Sequence, residues 1–483
     1  MQLRREMMIY ASADLTGMAI ILLLSPITTR LLTLQQYGAI SLLQTVWLMI
    51  AIVQYGCMDF SFPIFLARSS RHKRRQQRVL VSATLVASIS AIGLSTLFVV
   101  AGHFSDWLKQ FAEVSHSEFL IFSIGLIPLS IVQWYMVLFR YLHNAAAYAI
   151  ASLVIRVGTL VLALPLMFLA TQEHRLEMRF AGALVAGLAC MIWSIKRFTD
   201  KYRSPYYRER FLPPLACAMF RFGIVMVPGA YIYALSTLFD KLIVQWHYGA
   251  DEVAILSLSL SLAASVLALK SWFALVWDPY QLKLISTGDK QLYQRRMQHA
   301  IYALLLVFMP LAALISVWSE RLVKLLYPEY YLPAARLLPV LVLNGAVSTL
   351  SLVAVATILV AGTPRYHPWI YGTGLLINCA VGITLVPRIG ALGAVIGTLA
   401  SEIVILIGWI FLGRVWLNNL PLRWGPALLA AAGTSAFIAF YEPGMLLGRF
   451  GLVLGEQLAI SVILLAVAGV SFWRSELRSL LIP

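Results

Sequence analysis

An all-α polytopic membrane fold is what the sequence predicts: about 14 transmembrane helices, set out as two pseudo-symmetric six-helix lobes followed by a C-terminal helix pair. Three observations lead there. Of the 483 residues, 60% are hydrophobic and only 12% charged, with a mean hydropathy of +0.82, which leaves too little polar surface for a chain dissolved in water. Apolar stretches long enough to cross a hydrocarbon core, roughly 20 residues for about 30 Å, recur along the whole length. Related segments also recur at an offset of about 211 residues.

The first six spans are expected at about 10–29, 39–66, 79–101, 119–139, 146–170 and 178–197. They make an N-terminal lobe over residues 1–200. A polar, basic and proline-bearing segment at 201–216 reads as a cytoplasmic linker, from Asp200-Lys201-Tyr202-Arg203-Ser204-Pro205 to Pro213-Pro214. The second lobe, residues 217–413, holds spans at about 217–237, 253–277, 297–318, 335–358, 367–387 and 391–413. The final pair, within 414–483, is expected at about 424–440 and 452–473. No small-residue cleavage site follows the first apolar run, so that run reads as a retained helix rather than a signal peptide.

Charge sets the orientation. About 25 of the 37 Lys and Arg fall on the side shared by both termini and about 10 on the other, so both termini are expected in the cytoplasm of a bacterial inner membrane. The densest basic run, Arg71-His72-Lys73-Arg74-Arg75, sits between two spans. Topology and anionic lipid account for it, and with it for much of the net charge of +16, before nucleic acid is invoked. Cys57, Cys190, Cys217 and Cys379 are scattered through or beside apolar spans without metal-ligand spacing, so no disulfide framework or metal site is expected.

The internal repeat pairs Arg30-Leu31-Leu32 through Tyr37-Gly38-Ala39 with Lys241-Leu242-Ile243 through Tyr248-Gly249-Ala250. Phe62-Pro63 matches Asp278-Pro279, and Gly182-Ala183-Leu184 echoes Gly393-Ala394-Val395. An even number of spans separates the copies, so the lobes enter the membrane in the same sense, the plan of a transporter built for alternating access.

An ionisable side chain inside hydrocarbon costs several kcal/mol unless it faces water or a partner, so each one is a candidate site. Arg156, near the middle of the fifth span, carries a guanidinium that stays charged and grips phosphate oxygens in a fork; it is the first choice for an anionic headgroup, with a structural ion pair as the alternative. Lys270 lies in the eighth span at the depth of Asp59 in the second. A substrate cation with a titratable carboxylate, a salt bridge between lobes, and snorkelling of Lys270 are all open readings. Glu402 in the twelfth span and Asp14 in the first are further candidates for ion coupling, because burial favours the protonated carboxyl. Arg30 and the pair Asp240-Lys241 are expected at matching periplasmic ends of the first and seventh spans and suit either an outer gate or helix capping. Arg140 and Arg365 lie in matching short cytoplasmic loops, where they could meet an incoming phosphate or serve topology alone.

Catalysis is not expected. The chain has no Gly-x-x-x-x-Gly-Lys-Ser/Thr phosphate loop, no Asp-x-Asp metal site and no His-Glu-x-x-His helix, and no cofactor is implied. The longest periplasmic loop, about Gly102 to Glu118, is too short to house a Ser/His/Asp centre.

Thr29-Arg30-Leu31-Leu32-Thr33-Leu34-Gln35-Gln36-Tyr37-Gly38 resembles the segment after the first helix in polysaccharide flippases of the Wzx type, in the MOP transporter superfamily. Asp240-Lys241-Leu242 followed by Tyr248-Gly249-Ala250 is similar to that family's connection of the seventh and eighth helices. The segments from Tyr327-Pro328-Glu329-Tyr330 through Ala361-Gly362-Thr363-Pro364-Arg365 to Pro387-Arg388-Ile389-Gly390-Ala391 resemble its tenth to twelfth helices, and Glu402 falls where many members are acidic. The likeness spans almost the whole chain. It implies translocation of an undecaprenyl-pyrophosphate-linked oligosaccharide from the cytoplasmic to the periplasmic leaflet, coupled to a cation gradient. The partners it implies are that substrate, membrane lipid and other polysaccharide-assembly proteins, with no nucleic acid. A peptidoglycan-precursor flippase and a multidrug or metabolite antiporter are the transporter alternatives, and a glycan polymerase or ligase or a scaffold subunit those of another class. The cationic cavity the family uses would be built here by Arg156 and Lys270.

Overall fold

Many large apolar side chains stand exposed on the outer faces of the helices, as in a protein surrounded by lipid rather than water. The helix Lys73–Phe104 shows it most clearly. Ala83, Ala87, Ala91 and Ser95, spaced by four, are buried to 1% exposure or less, whereas Leu85, Ile89, Ile92, Leu97 and Val100 stand out to the surface. Lipid tails are as apolar as these outer side chains, so nothing drives them inward, and small residues let neighbouring backbones approach.

The computed structural model describes residues 2–416 apart from 70–72, 105–108, 110–112, 143, 203–210, 225–226, 287–288 and 361–365. The expected spans at 424–440 and 452–473 therefore lie outside the described residues, as does Arg365; the side chains of Asp14 and Asp59 do too. Every regular element among the described residues is helical: α1 Gln2–Leu31, α2 Leu34–Arg68, α3 Lys73–Phe104, α4 His116–Tyr141, α5 Ala145–Leu153, a π-helical turn Val154–Gly158, α6 Thr159–Leu169 and α7 Arg175–Tyr202. Then come α8 Pro213–Ile224, α9 Val227–Ser286, α10 Lys290–Leu326, α11 Ala334–Val360, α12 His367–Ile389 and α13 Ala391–Trp416, with 3₁₀ turns at Gln172–His174 and Glu329–Tyr331. Nine stretches within these helices are long and apolar enough to cross a membrane, and Leu15–Leu31 is a shorter apolar one. The protein is a multi-pass membrane protein.

Two compact units result, Met1–Leu238 and Phe239–Pro483. In the first, α4 packs on α7 and α3, α6 on α7, α2 on α3 and α8, and α1 on α5. A buried polar bridge ties three of these helices: Gln54 donates to Ser95 Oγ at 2.8 Å and to the Ala91 carbonyl at 3.3 Å, and the Ser130 hydroxyl donates to Gln54 Oε1 at 2.7 Å. Between membrane helices such bonds contribute about 0.6–2 kcal/mol each. α4 starts with a capping box, in which Ser115 and Glu118 satisfy each other's backbone N–H groups, and the Ser117 hydroxyl donates to Glu177 of α7. In the second unit α12 packs on α13, α11 on α13 and α10 on α11.

The span expected at 217–237 is built differently. α8 ends at Ile224, α9 begins at Val227, and α9 runs on to Tyr248 before its backbone turns at Gly249 (φ 78°, ψ −176°). In the corresponding place of the first repeat the break falls earlier, between α1 and α2 at Leu32-Thr33, and Gly38 is helical. The same sequence pattern therefore caps one helix and lies inside the other. Gly390, between α12 and α13, also has a conformation that essentially glycine alone adopts (φ 62°, ψ −146°), and it sits against Glu252, whose carboxylate accepts from the Ala391 N–H at 3.2 Å. Tyr248 adds a bond to the Pro387 carbonyl at 3.0 Å. The α9 kink and the α12–α13 turn thus hold each other. Gly249→Ala meets no atom within 4 Å, so backbone strain alone is expected to lower stability, by about 1–2 kcal/mol, read as a fall in thermal midpoint of the solubilised protein.

Candidate functional site

The most concentrated intramembrane polar chemistry of the second unit gathers around Asp240, 9% exposed in the first limb of α9. Its Oδ1 accepts from Asn378 Nδ2 of α12 at 2.9 Å and its Oδ2 from the Thr398 hydroxyl of α13 at 2.6 Å. The same hydroxyl lies 3.2 Å from the Ala394 carbonyl. One proton cannot serve both acceptors, so oxygens outnumber the donors that these neighbours offer. Thr398 thus joins the Asp240 carboxylate to the Ala394 carbonyl, and a carboxylate so buried in a membrane helix is a candidate for proton uptake. Close approach of α12 and α13 makes the cluster: a Cβ on Gly397 would fall 2.6 Å from Asn378 Oδ1, so glycine is what lets the amide sit there. Lys241, 8% exposed, follows Asp240 directly and interacts with it electrostatically.

A second cluster lies one turn further along α13. Ala394, Thr398 and Glu402 repeat every four residues and so share one face, about 6 Å of helix axis separating successive members. Glu402 is 7% exposed, and its electrostatic partner is Lys270 of the second limb of α9. Lys270 Nζ donates to Ser348 Oγ of α11 at 2.8 Å, and that hydroxyl passes its own proton to the Gly345 carbonyl at 3.1 Å. Lys270 thus has partners within its own unit, Ser348 and Glu402, and the side chain of Asp59, expected at the same depth, lies outside the described residues.

Arg156 stands in the first unit, near the middle of the helical run from Ala145 to Leu169, on the π turn Val154–Gly158. Such turns leave a carbonyl without its usual helical partner; here the Thr159 hydroxyl donates to the Ile155 carbonyl at 2.9 Å and lies 3.4 Å from that of Arg156. The aliphatic stem of Arg156 lies along α1, where Gly17 leaves room: a Cβ there would meet Arg156 Cδ at 3.3 Å.

The remaining expected residues are dispersed. Arg30 is exposed in the last turn of α1, unlike its buried repeat counterpart Lys241. Asp240 and Lys241 are not at a helix end at all, since α9 continues for two further turns to Tyr248. Arg140 is exposed in the last turn of α4, its guanidinium 4.8 Å from the centre of the Tyr141 ring. Among the described residues no group of three or more His, Cys, Asp or Glu side chains is placed to hold a metal. Sequence reasoning missed Asn378, Thr398 and Ser348 because it weighed only ionisable groups inside the spans. The four-residue spacing of Thr398 and Glu402 was the available signal.

A family model described as polysaccharide biosynthesis protein matches residues 3–280, more than half of the chain. A search of curated protein sequences returned no match. Among solved structures, the inward closed conformation of the lipid II flippase MurJ superposes with a TM-score of 0.69 at 14% identity, covering 97% of this chain and 99% of that one. An inward-facing multidrug resistance MATE transporter of the MOP superfamily gives 0.67 at 13% identity, covering 84% of this chain and 94% of its own. An outward-facing MATE transporter gives 0.61 at 14% identity, with 86% and 96% covered. At these identities the likeness establishes the fold alone, and the sequence match establishes the family: the chain belongs to the polysaccharide biosynthesis proteins.

Proposed function

We propose that this protein moves a lipid-linked oligosaccharide, carried on undecaprenyl pyrophosphate, from the cytoplasmic to the periplasmic leaflet of a bacterial inner membrane by alternating access, with both termini in the cytoplasm. The observation that carries the proposal is Arg156, a cation within a helical run long and apolar enough to cross a membrane, in a polysaccharide-family chain that has a transporter fold. A pyrophosphate taken alone into hydrocarbon faces a desolvation cost that fixed cations in a wet cavity largely offset. Arg156 is the primary phosphate ligand, its guanidinium suited to two oxygens at once. Lys270 assists, and Arg140 and Arg365 meet the headgroup at the cytoplasmic surface. The solved flippase for lipid II matches over 97% of this chain and the inward-facing MATE transporter over 84%, which favours a lipid-linked glycan over a small cationic drug.

Coupling falls to the α13 face. Occupation of Asp240 by a cation or proton changes the charge one turn from Glu402, and Glu402 shares its field with Lys270. The substrate-binding cation and the ion site are therefore linked through one rigid helix, and differential occupation in the two access states gives direction. Asp59 and Asp14 remain candidates for the same role.

The test uses the purified full chain in lipid vesicles loaded with lipid-linked oligosaccharide. Arg156→Ala is expected to slow translocation by at least 10-fold, corresponding to loss of one charge-assisted bond of about 1.5–3 kcal/mol. Arg156→Lys is expected to restore part of the rate. Native-like rates in Arg156→Ala would remove the guanidinium from the path.

A further inference from the structure

The helical run from Ala145 to Leu169 changes type in its middle, and Arg156 is the central residue of the change. α5 ends at Leu153, the π turn takes Val154–Gly158, and α6 resumes at Thr159 with ordinary helical backbone (φ −61°, ψ −34°). A π turn holds one residue more than the α-helical turn it replaces. One residue is about 100° of rotation, so the turn sets how the side chains of α5 face relative to those of α6.

Both flanks of the turn are docked. On the N-terminal side α5 packs on α1, where a Cβ on Gly17 would meet Arg156 Cδ at 3.3 Å and Leu153 Cδ2 at 3.7 Å. On the C-terminal side α6 packs on α7, and a Cβ on Gly182 would fall 2.5 Å from Ala163 Cα. The extra residue therefore cannot be expelled without undocking one flank. It can only shift along the helix, and each residue it passes changes from the register of α5 to that of α6, a rotation of about 100°. Arg156, in the middle of the turn, is the residue that such a shift moves.

One side chain is placed to stop the shift. Val154, Ile155, Val157 and Gly158 carry no polar side chain, and the donor comes from the next residue: the Thr159 hydroxyl bonds to the Ile155 carbonyl at 2.9 Å and lies 3.4 Å from that of Arg156. In a membrane helix a carbonyl that loses its amide is costly unless a donor such as a threonine hydroxyl replaces it, so this bond favours the extra residue where it stands. Packing does not impose that position, because Ile155 and Thr159 both line a cavity of about 170 Å³.

We propose that Thr159 is the positioning residue of Arg156: its hydroxyl pins the extra residue of the π turn at Ile155, and the pinned turn aims the guanidinium. The assignment deepens the flippase reading and rests on it for the ligand, the pyrophosphate that Arg156 holds.

The experiment pairs two readouts on the solubilised full-length protein. Binding of farnesyl pyrophosphate, a short prenyl chain with the pyrophosphate headgroup and no sugar, is measured by calorimetry. The facing of position 156 is read separately, from the rate at which an anionic methanethiosulfonate reagent modifies Arg156→Cys, followed on the peptide that contains it by mass spectrometry. Thr159→Val keeps the branched shape and deletes the hydroxyl; it is expected to weaken farnesyl pyrophosphate by about 3- to 10-fold, what one net hydrogen bond is worth, and to change the labelling rate several-fold. Thr159→Ser, which keeps the hydroxyl, is expected to match the native protein in both. In an Arg156→Ala chain, Thr159→Val is expected to cost nothing further, because the two residues act as one unit. Thr159→Ala serves if Thr159→Val does not insert. Native binding and native labelling in Thr159→Val would overturn the assignment, as would an equal loss with and without Arg156, or a Thr159→Ser chain as weak as Thr159→Val. A changed labelling rate together with native binding in Arg156→Ala would keep the positioning role and count against the proposed function. Weaker binding in Arg156→Ala with native binding in Thr159→Val would count against the positioning role alone.

Discussion

Replacing Asp240 by asparagine is expected to lower the response of transport to an imposed cation gradient by about 5- to 150-fold, the range that coupling free energies span, while leaving the helices in place. The amide keeps the shape of the carboxylate and can still bond Asn378 and Thr398, so the change is one of charge. Asp240→Ala is harsher: it strips acceptors from the Asn378 amide and from the Thr398 hydroxyl, at about 1–3 kcal/mol for each group left unsatisfied, and it removes the carboxylate beside Lys241. Thr398 retains the Ala394 carbonyl, which confines most of that loss to Asn378. Transport rates measured in vesicles with and without a sodium or proton gradient separate the two effects. A full gradient response in Asp240→Asn would move the coupling site elsewhere, to Glu402 first.

Gly182→Val is expected to destabilise the first unit by about 1–3 kcal/mol through overpacking, and Gly93→Ala to stabilise it by about 0.5–1 kcal/mol. A Cβ on Gly182 would fall 2.5 Å from the Ala163 Cα and 2.6 Å from its nitrogen, so the strain lands on backbone and α6 must move away from α7. At Gly93 a Cβ meets nothing within 4 Å, and alanine there only removes conformational freedom from the unfolded chain. Thermal midpoints of the solubilised variants, compared at equal detergent, are expected to move in opposite directions. No change for Gly182→Val would mean that the α6–α7 contact does not limit stability, and a fall for Gly93→Ala would contradict the open space at that position.

Much of this architecture is legible in the pattern of residues. The recurrence of long apolar runs placed the helices, and the pairing of Gly182-Ala183-Leu184 with Gly393-Ala394-Val395 has a physical basis: each glycine marks a close approach, Gly182 to the Ala163 backbone and Gly393 to that of Leu385 and Val386, with a Cβ at 2.6 Å in the second case. The break at Gly249 was less legible, since Gly38 in the matching motif stays helical. A glycine permits a positive φ without requiring it; here the bonds from Tyr248 to Pro387 and from Ala391 to Glu252, far apart in the sequence, select it. The polar clusters were half legible. Arg156, Lys270, Glu402 and Asp240 stand out as charges in apolar runs, whereas Asn378 and Thr398 acquire meaning only when α12 and α13 bring them to Asp240.

The sidedness of lipid-linked oligosaccharide in cells tests the central claim most directly. Spheroplasts of a strain lacking this chain, of the same strain carrying the native chain, and of the strain carrying Arg156→Ala with insertion confirmed are probed with a membrane-impermeant sugar-modifying reagent. The account predicts periplasmic exposure of the glycan with the native chain and its retention in the cytoplasmic leaflet in the other two. Equal periplasmic exposure in all three strains would contradict it, because translocation would then proceed without this protein.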